Sequence, residues 1–169
     1  MDASELKAVQ APLKQAYRDD PTAGVVRLRA EGELNAESVA CKVETGRALV
    51  EAGLHPKTGG DGSFACSGDM LLEALVACAG VTLAAVAKAM GVAIRDGRVT
   101  AGADFDARGT LGVDKTAPVG LTDIRLTFEI DADLDDETRA TLLKLTERYC
   151  VVLQTLRAGP GVAAEIVPA

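Results

Sequence analysis

Apolar and polar positions alternate most cleanly over DIRLTFEID, where Ile124, Leu126, Phe128 and Ile130 oppose Arg125, Thr127 and Glu129. Period two is the mark of a half-buried strand. SVACKVET repeats it, with Val39, Cys41 and Val43 on one side, and so does RVTAGADFDA, with Val99, Ala101, Ala103 and Phe105. Both predict strands, and Cys41 then points inward as a core residue. Residues 25–34 read as a first strand carrying Arg27 and Arg29 on one face, and VAAEIV near the end reads as a last strand. Between residues 67 and 90 the pattern changes. Leu71, Leu72, Leu75, Val76, Val81, Leu83 and Val86 point in every direction of a helix, with Ser67 able to cap it and Gly91 to stop it. A helix apolar all round must be covered on all sides, and one small sheet does not do that easily, which points to a dimer. Acidic residues from Asp131 to Glu137 open a second helix, with Leu142, Leu145 and Tyr149 on one face and Cys150 at its end. Residues 3–18 also read as helical, interrupted at Pro12. TGGDGS and RGTLGVDKTAPVG are loops, and the first lacks the GxxxxGK[ST] spacing of a phosphate cradle. Strands, long helix, strands, helix is an α+β order with no βαβ period.

Composition narrows the class. At 169 residues the chain suits one domain. With 18 Lys+Arg against 25 Asp+Glu, a net charge of −7, it lacks the basic face that phosphate neutralisation requires, so no nucleic-acid partner is expected. Aromatics at 3%, without Trp, remove the stacking platforms of a single-strand binder. His55 is the single histidine, which speaks against multi-His metal sites, and no cofactor is called for. The longest apolar run, Ala74 to Ala87, is fourteen residues and short of the roughly 18 that span a bilayer. The N-terminal residues lack a basic start followed by an apolar run. The expectation is a cytoplasmic protein without a membrane partner.

The candidate chemistry is thiol chemistry. Cys41, Cys66, Cys78 and Cys150 include no CxxC pair, so zinc-ribbon and thioredoxin-like motifs are out. Each is either a small core residue or a reactive thiol, and Cys78 with Cys150 is the pair that could meet in space. Cys78 lies well past the first turn of its helix, where the helix's own dipole no longer acts, and burial raises a thiol pKa. A reactive Cys78 therefore needs a cation from elsewhere in the fold. Asp69, in the first turn, complements the helix dipole. Cys66 is a reactive thiol near that helix start or a packed loop residue, and His55 is a general base or a surface residue.

SGDMLLEALVACAGVTLAAVAKAMGV resembles the central helix of the OsmC/Ohr family, the osmotically inducible and organic hydroperoxide resistance proteins. DFDARGTLG resembles the D-x-R-G turn of the family's OsmC-like branch, and ERYCVVLQTL resembles the segment with its second cysteine. The resemblance covers residues 24–167, so the chain divides into a helical extension over 1–20 and a single OsmC-like domain over 21–169. It implies curved antiparallel sheets around a long buried central helix in an intertwined homodimer. It also implies a hydroperoxide reductase in which Cys78 is the peroxidatic and Cys150 the resolving thiol, served by an external dithiol, with an apolar pocket favouring organic hydroperoxides. Three departures stand out. Gly68 occupies the place of a family Glu that pairs with the activating Arg, and the resemblance leaves Asp69 beside it as either the Arg anchor or a helix-dipole partner. The activating Arg has no motif, leaving Arg27, Arg29 and Arg47 as candidates. Val151 replaces a Pro after the second cysteine. These departures give the rival reading: a non-catalytic dimer holding an apolar small molecule at the subunit interface. A structural dimer that serves a protein partner is a third.

Overall fold

A single 24-residue helix, α1 (Ser67–Met90), spans the middle of the chain. Its end is a Schellman turn: Gly91 takes φ +73°, its N–H meets the Lys88 carbonyl at 3.2 Å, and the Val92 N–H reaches the Ala87 carbonyl at 2.8 Å. The expected stop is thus the observed one, whereas Ser67 lies inside the helix rather than before it. The computed structural model of the protein describes residues 49–112 and 114–168, together with 32–34, 40–44 and the helical positions Ser4, Ala8, Ala11, Gln15 and Asp19.

Four strands precede α1. They are β1 (Gly32–Leu34), β2 (Ala40–Glu44), β3 (Leu49–Gly53) and β4 (Ala65–Cys66), hydrogen-bonded in that order. The first two pairings are antiparallel, with Cys41 opposite Ala52, and β3–β4 is parallel. The side chain of Cys41 lies outside the described residues, as do Arg27, Arg29, Arg47 and most of the expected first strand. After α1 come β5 (Asp96–Asp104) and β6 (Thr122–Asp131), paired in a two-stranded sheet, with the short helix α2 (Ala107–Thr110) between them. Helices α3 (Asp136–Tyr149) and α4 (Val151–Ala158) follow. The architecture is α+β, as the pattern predicts.

Two compact units emerge. The first holds residues 1–73 and 100–127, the second residues 74–99 and 128–169. In the first, the D-x-R-G sequence is a structural staple. Asp106 caps α2 by accepting the Arg108 N–H at 3.0 Å, and the Arg108 guanidinium closes back on the same carboxylate at 2.6 Å. A side chain at Gly109 would collide with the Pro118 carbonyl, so glycine is required there. In the second unit Leu83, Ala87 and Leu142 form the buried centre, with Val86, Ile94, Phe128 and Ile130 packed around it. Full burial of a leucine contributes about 1.5–3 kcal/mol, so Leu142 on α3 is a principal anchor.

Three readings are corrected. VAAEIV is not a strand: residues 159–168 have no regular structure, and Ile166 is 100% exposed, since among the described residues no strand pairs with this segment. Tyr149 is 60% exposed rather than on the packed face of α3, where Leu142 and Thr146 are buried instead. Ile124, the third residue of β6, shares the side of Leu126, Phe128 and Ile130 but is exposed. The long helix adds a finding of its own. Its buried residues are Leu75, Ala79, Leu83 and Ala87, one stripe at four-residue spacing. Its most apolar 18-residue window has mean hydropathy 2.1 and is 22% buried by this chain. The fourteen-residue run is therefore the centre of an element that meets the length and composition of a membrane span, a test that core helices also meet.

Candidate active site

Two elements of the second unit bring the expected thiols together. Cys78 stands at mid-length on α1, partly exposed, and Cys150 is wholly buried at the joint between α3 and α4. Cys150 has extended dihedrals, φ −73° and ψ 108°. Its N–H closes α3 on the Thr146 carbonyl at 3.0 Å, and its carbonyl opens α4 by accepting the Gln154 N–H at 2.9 Å. One residue thus ends one helix and starts the next, without the Gly or Pro that ordinarily marks such a break.

The start of α4 faces Cys78. Burial pushes the Cys78 thiol up, but four groups act in the other direction: the Val152 amide, the Cys150 thiol, the Val151 amide and the Thr82 hydroxyl. Together they hold it below its ordinary value. The Thr82 hydroxyl proton is donated to the Cys78 carbonyl at 2.7 Å, one turn back along α1. Cys150 moves the opposite way. Burial raises it, and the hydrogen bond to Cys78 and the charge of that sulfur raise it further, against the Leu153 and Val152 amides. The two thiols are thus moved in opposite directions, Cys78 down and Cys150 up. The first amides of a helix have no intrahelical acceptor and carry the positive end of its dipole, so they suit a thiolate.

The structure adds a source of activation that the sequence did not indicate. The dipole of α1 itself is out of reach of Cys78, as reasoned from its position, but the N-terminus of a different helix is in contact with it. Among the described residues no guanidinium is among the groups acting on the Cys78 sulfur. Arg95 is bound to Asp131 and Asp133, Arg108 to Asp106 and Asp114, Arg139 to Asp136, and Arg157 to Glu147.

Asp69 sits in the other unit. Nine residues before Cys78 is two and a half helical turns, so the two side chains leave opposite sides of α1. Asp69 instead lines a cavity of about 520 Å³ with His55, Cys66, Gly68, Phe105 and Leu121. There His55 caps a 3-10 turn, its Nδ1 accepting the Lys57 N–H at 3.0 Å, and its ring meets Phe105 edge-on at 5.8 Å. The functional groups that the sequence did not reveal are the Val151 and Val152 amides and the Thr82 hydroxyl. Thr82 could have been found from its spacing, one turn after Cys78. The amides could not, since they belong to a helix that was not anticipated.

An α+β fold around a long apolar helix narrows the class, and comparison with known proteins identifies it. Residues 60–165 match the family described as OsmC-like protein. This chain belongs to the OsmC-like family. Among solved structures it is similar to an OsmC-like protein from Mycoplasma pneumoniae, with TM-score 0.64 and 19% identity over 78% of this chain and 88% of that one. It is also similar to an organic hydroperoxide resistance protein OsmC from Legionella pneumophila, with TM-score 0.56, 14% identity and coverage of 79% and 91%. An organic hydroperoxide resistance protein from Elizabethkingia anophelis gives TM-score 0.54, 16% identity and coverage of 79% and 89%. At these identities the likeness is one of fold. The search of curated proteins finds no match.

Proposed function

We propose that the chain is a thiol-dependent peroxidase that reduces organic hydroperoxides. The observation that carries this reading is the placement of the Val152 amide, the Cys150 thiol and the Val151 amide beside Cys78, where they hold its thiol below the ordinary value. The Cys78 thiolate attacks a peroxide oxygen, the O–O bond breaks, and the leaving alkoxide takes a proton and departs as alcohol. Cys78 becomes a sulfenic acid. The Cys150 sulfur then attacks that sulfur, its proton and the sulfenic hydroxyl leave as water, and a disulfide forms. An external dithiol supplies two electrons and two protons to restore both thiols.

The preference for organic hydroperoxides draws on exposed alkyl side chains of the two helices that carry the site, Val81 of α1 and Val151 of α4, which are 73% and 67% exposed in the single chain. The same exposed faces of α1 support a homodimer in which a second copy covers them. The proposal sets the cycle in the cytoplasm, where dithiol reductants keep such cysteines reduced. A second reading, a non-catalytic member that holds an apolar small molecule, draws on Gly68 and on the lack of a guanidinium at Cys78 among the described residues. The deciding experiment adds stoichiometric cumene hydroperoxide to the reduced protein. The peroxidase reading expects loss of two hydrogens, a Cys78–Cys150 crosslink in the peptide map, and no turnover in Cys78→Ser. Two thiols still free after treatment would favour the binder.

A further inference from the structure

The joint between α3 and α4 is one residue wide, so the backbone alone leaves only the φ and ψ of Cys150 to set the angle between the helices. Whatever spans the joint decides where α4 aims its free amides. Two side chains do so. Gln154 Nε2 donates to the Glu147 carbonyl at 2.7 Å, and Arg157 binds Glu147 Oε1 at 2.8 Å. Glu147 lies in the last turn of α3, where carbonyls have no intrahelical donor. Gln154 therefore caps α3 from the first turn of α4, while Cys78 on α1 receives the first amides of α4. Each helix end is completed by a group on another element. The Arg157 pair is exposed, 52% and 37% for its two side chains, and exposed pairs hold little. The Gln154 bond to an otherwise unmatched carbonyl is the stronger tie.

We propose that Gln154 is a positioning residue for the Cys78 nucleophile: by bridging the α3–α4 joint it keeps the N-terminus of α4 on the sulfur. Its consequence for turnover rests on the peroxidase reading, but the positioning itself is read without any turnover. The groups that act on the sulfur are the Val151 and Val152 amides, the Cys150 thiol and the Thr82 hydroxyl, and Cys150 is the titratable one among the described residues.

The test is the pH profile of Cys78 alkylation by iodoacetamide, resolved by peptide mass spectrometry on the full chain. Gln154→Met keeps the length and removes the donor. Its midpoint is expected to rise by about half a unit to one unit, a roughly threefold to tenfold loss of thiolate at pH 7. Gln154→Lys restores a donor and is expected to return the midpoint to that of the wild type. Arg157→Met shifts it by less than Gln154→Met, and Arg139→Met, which breaks an exposed ion pair elsewhere on α3, leaves it in place. A folded Gln154→Met protein with the wild-type midpoint overturns the proposal. Should that variant not fold, Gln154→Lys must still fold with the wild-type midpoint, and a raised midpoint there overturns it as well. If the midpoint moves as expected but peroxide is not turned over, the peroxidase reading fails and the positioning role stands.

Discussion

Two helices of the second unit begin with a negative group at their free amides, and they differ in where that group comes from. Helix α3 is closed locally: Asp135 accepts the Thr138 N–H at 2.6 Å, and Asp136 and Glu137 follow in its first turn. Helix α4 begins at a cysteine, and its first amides turn to a sulfur on α1. The electrostatics are the same in both cases, an anion at the positive end of a helix. At α3 the anion is a permanent carboxylate and the result is a stable helix. At α4 the anion exists only when Cys78 ionises, so the same field stabilises a nucleophile. A local cap supports folding, whereas a cap borrowed from another element can support chemistry.

The largest expected effect breaks both termini together. Leu142 seats α3 on α1, and Leu142→Ala should cost about 2–5 kcal/mol in a denaturant titration and raise the midpoint of Cys78 alkylation. Next comes Val151→Pro. Proline fits the first position of a helix, and the extended Cys150 suits the residue before a proline, so the fold should persist while one donor to the sulfur is lost. The thiolate fraction of Cys78 at pH 7 should then fall roughly tenfold by the same alkylation measurement. A smaller effect separates the two termini from the other side. Asp135→Ala removes the local cap and should lower Tm by about 2–4 °C without moving Cys78, as calorimetry and alkylation can check together.

The pH dependence distinguishes them as well. The folded pKa of Cys78 lies below its ordinary 9.0, so the stability it contributes is complete above that value and is lost as pH falls through the folded pKa. Asp135 is held below its ordinary 3.8 by the Thr138 amide and hydroxyl, so its contribution is complete above 3.8 and is lost in more acid solution. Denaturation midpoints should therefore fall below about pH 4 in the wild type, and this acid step should be smaller in Asp135→Ala.

What could be read along the chain follows the same division. Local signals served well. Gly91 ends α1, Asp135 begins α3 amid an acidic run, and Leu126, Phe128 and Ile130 alternate into β6. The two-residue β4 is too short for any period to show, and β3 carries apolar residues without alternation. Helix α4 was hidden because Val151 and Val152 favour strands and nothing in the sequence punctuates its separation from α3. VAAEIV misled for the opposite reason, since its composition suits a strand but a strand also needs an edge to join. At the site, Cys78 and Cys150 stood out by their motifs. The amides that act on Cys78 carry no side-chain signature and arrive from a distant part of the chain.

The central claim is that the first amides of α4 lower the pKa of Cys78, with no guanidinium among the described residues acting on it. Peptide-resolved alkylation of the wild-type protein across pH measures this directly. The account predicts a Cys78 midpoint below 9.0 and below that of Cys150. A Cys78 midpoint at or above 9.0, or above that of Cys150, would contradict it.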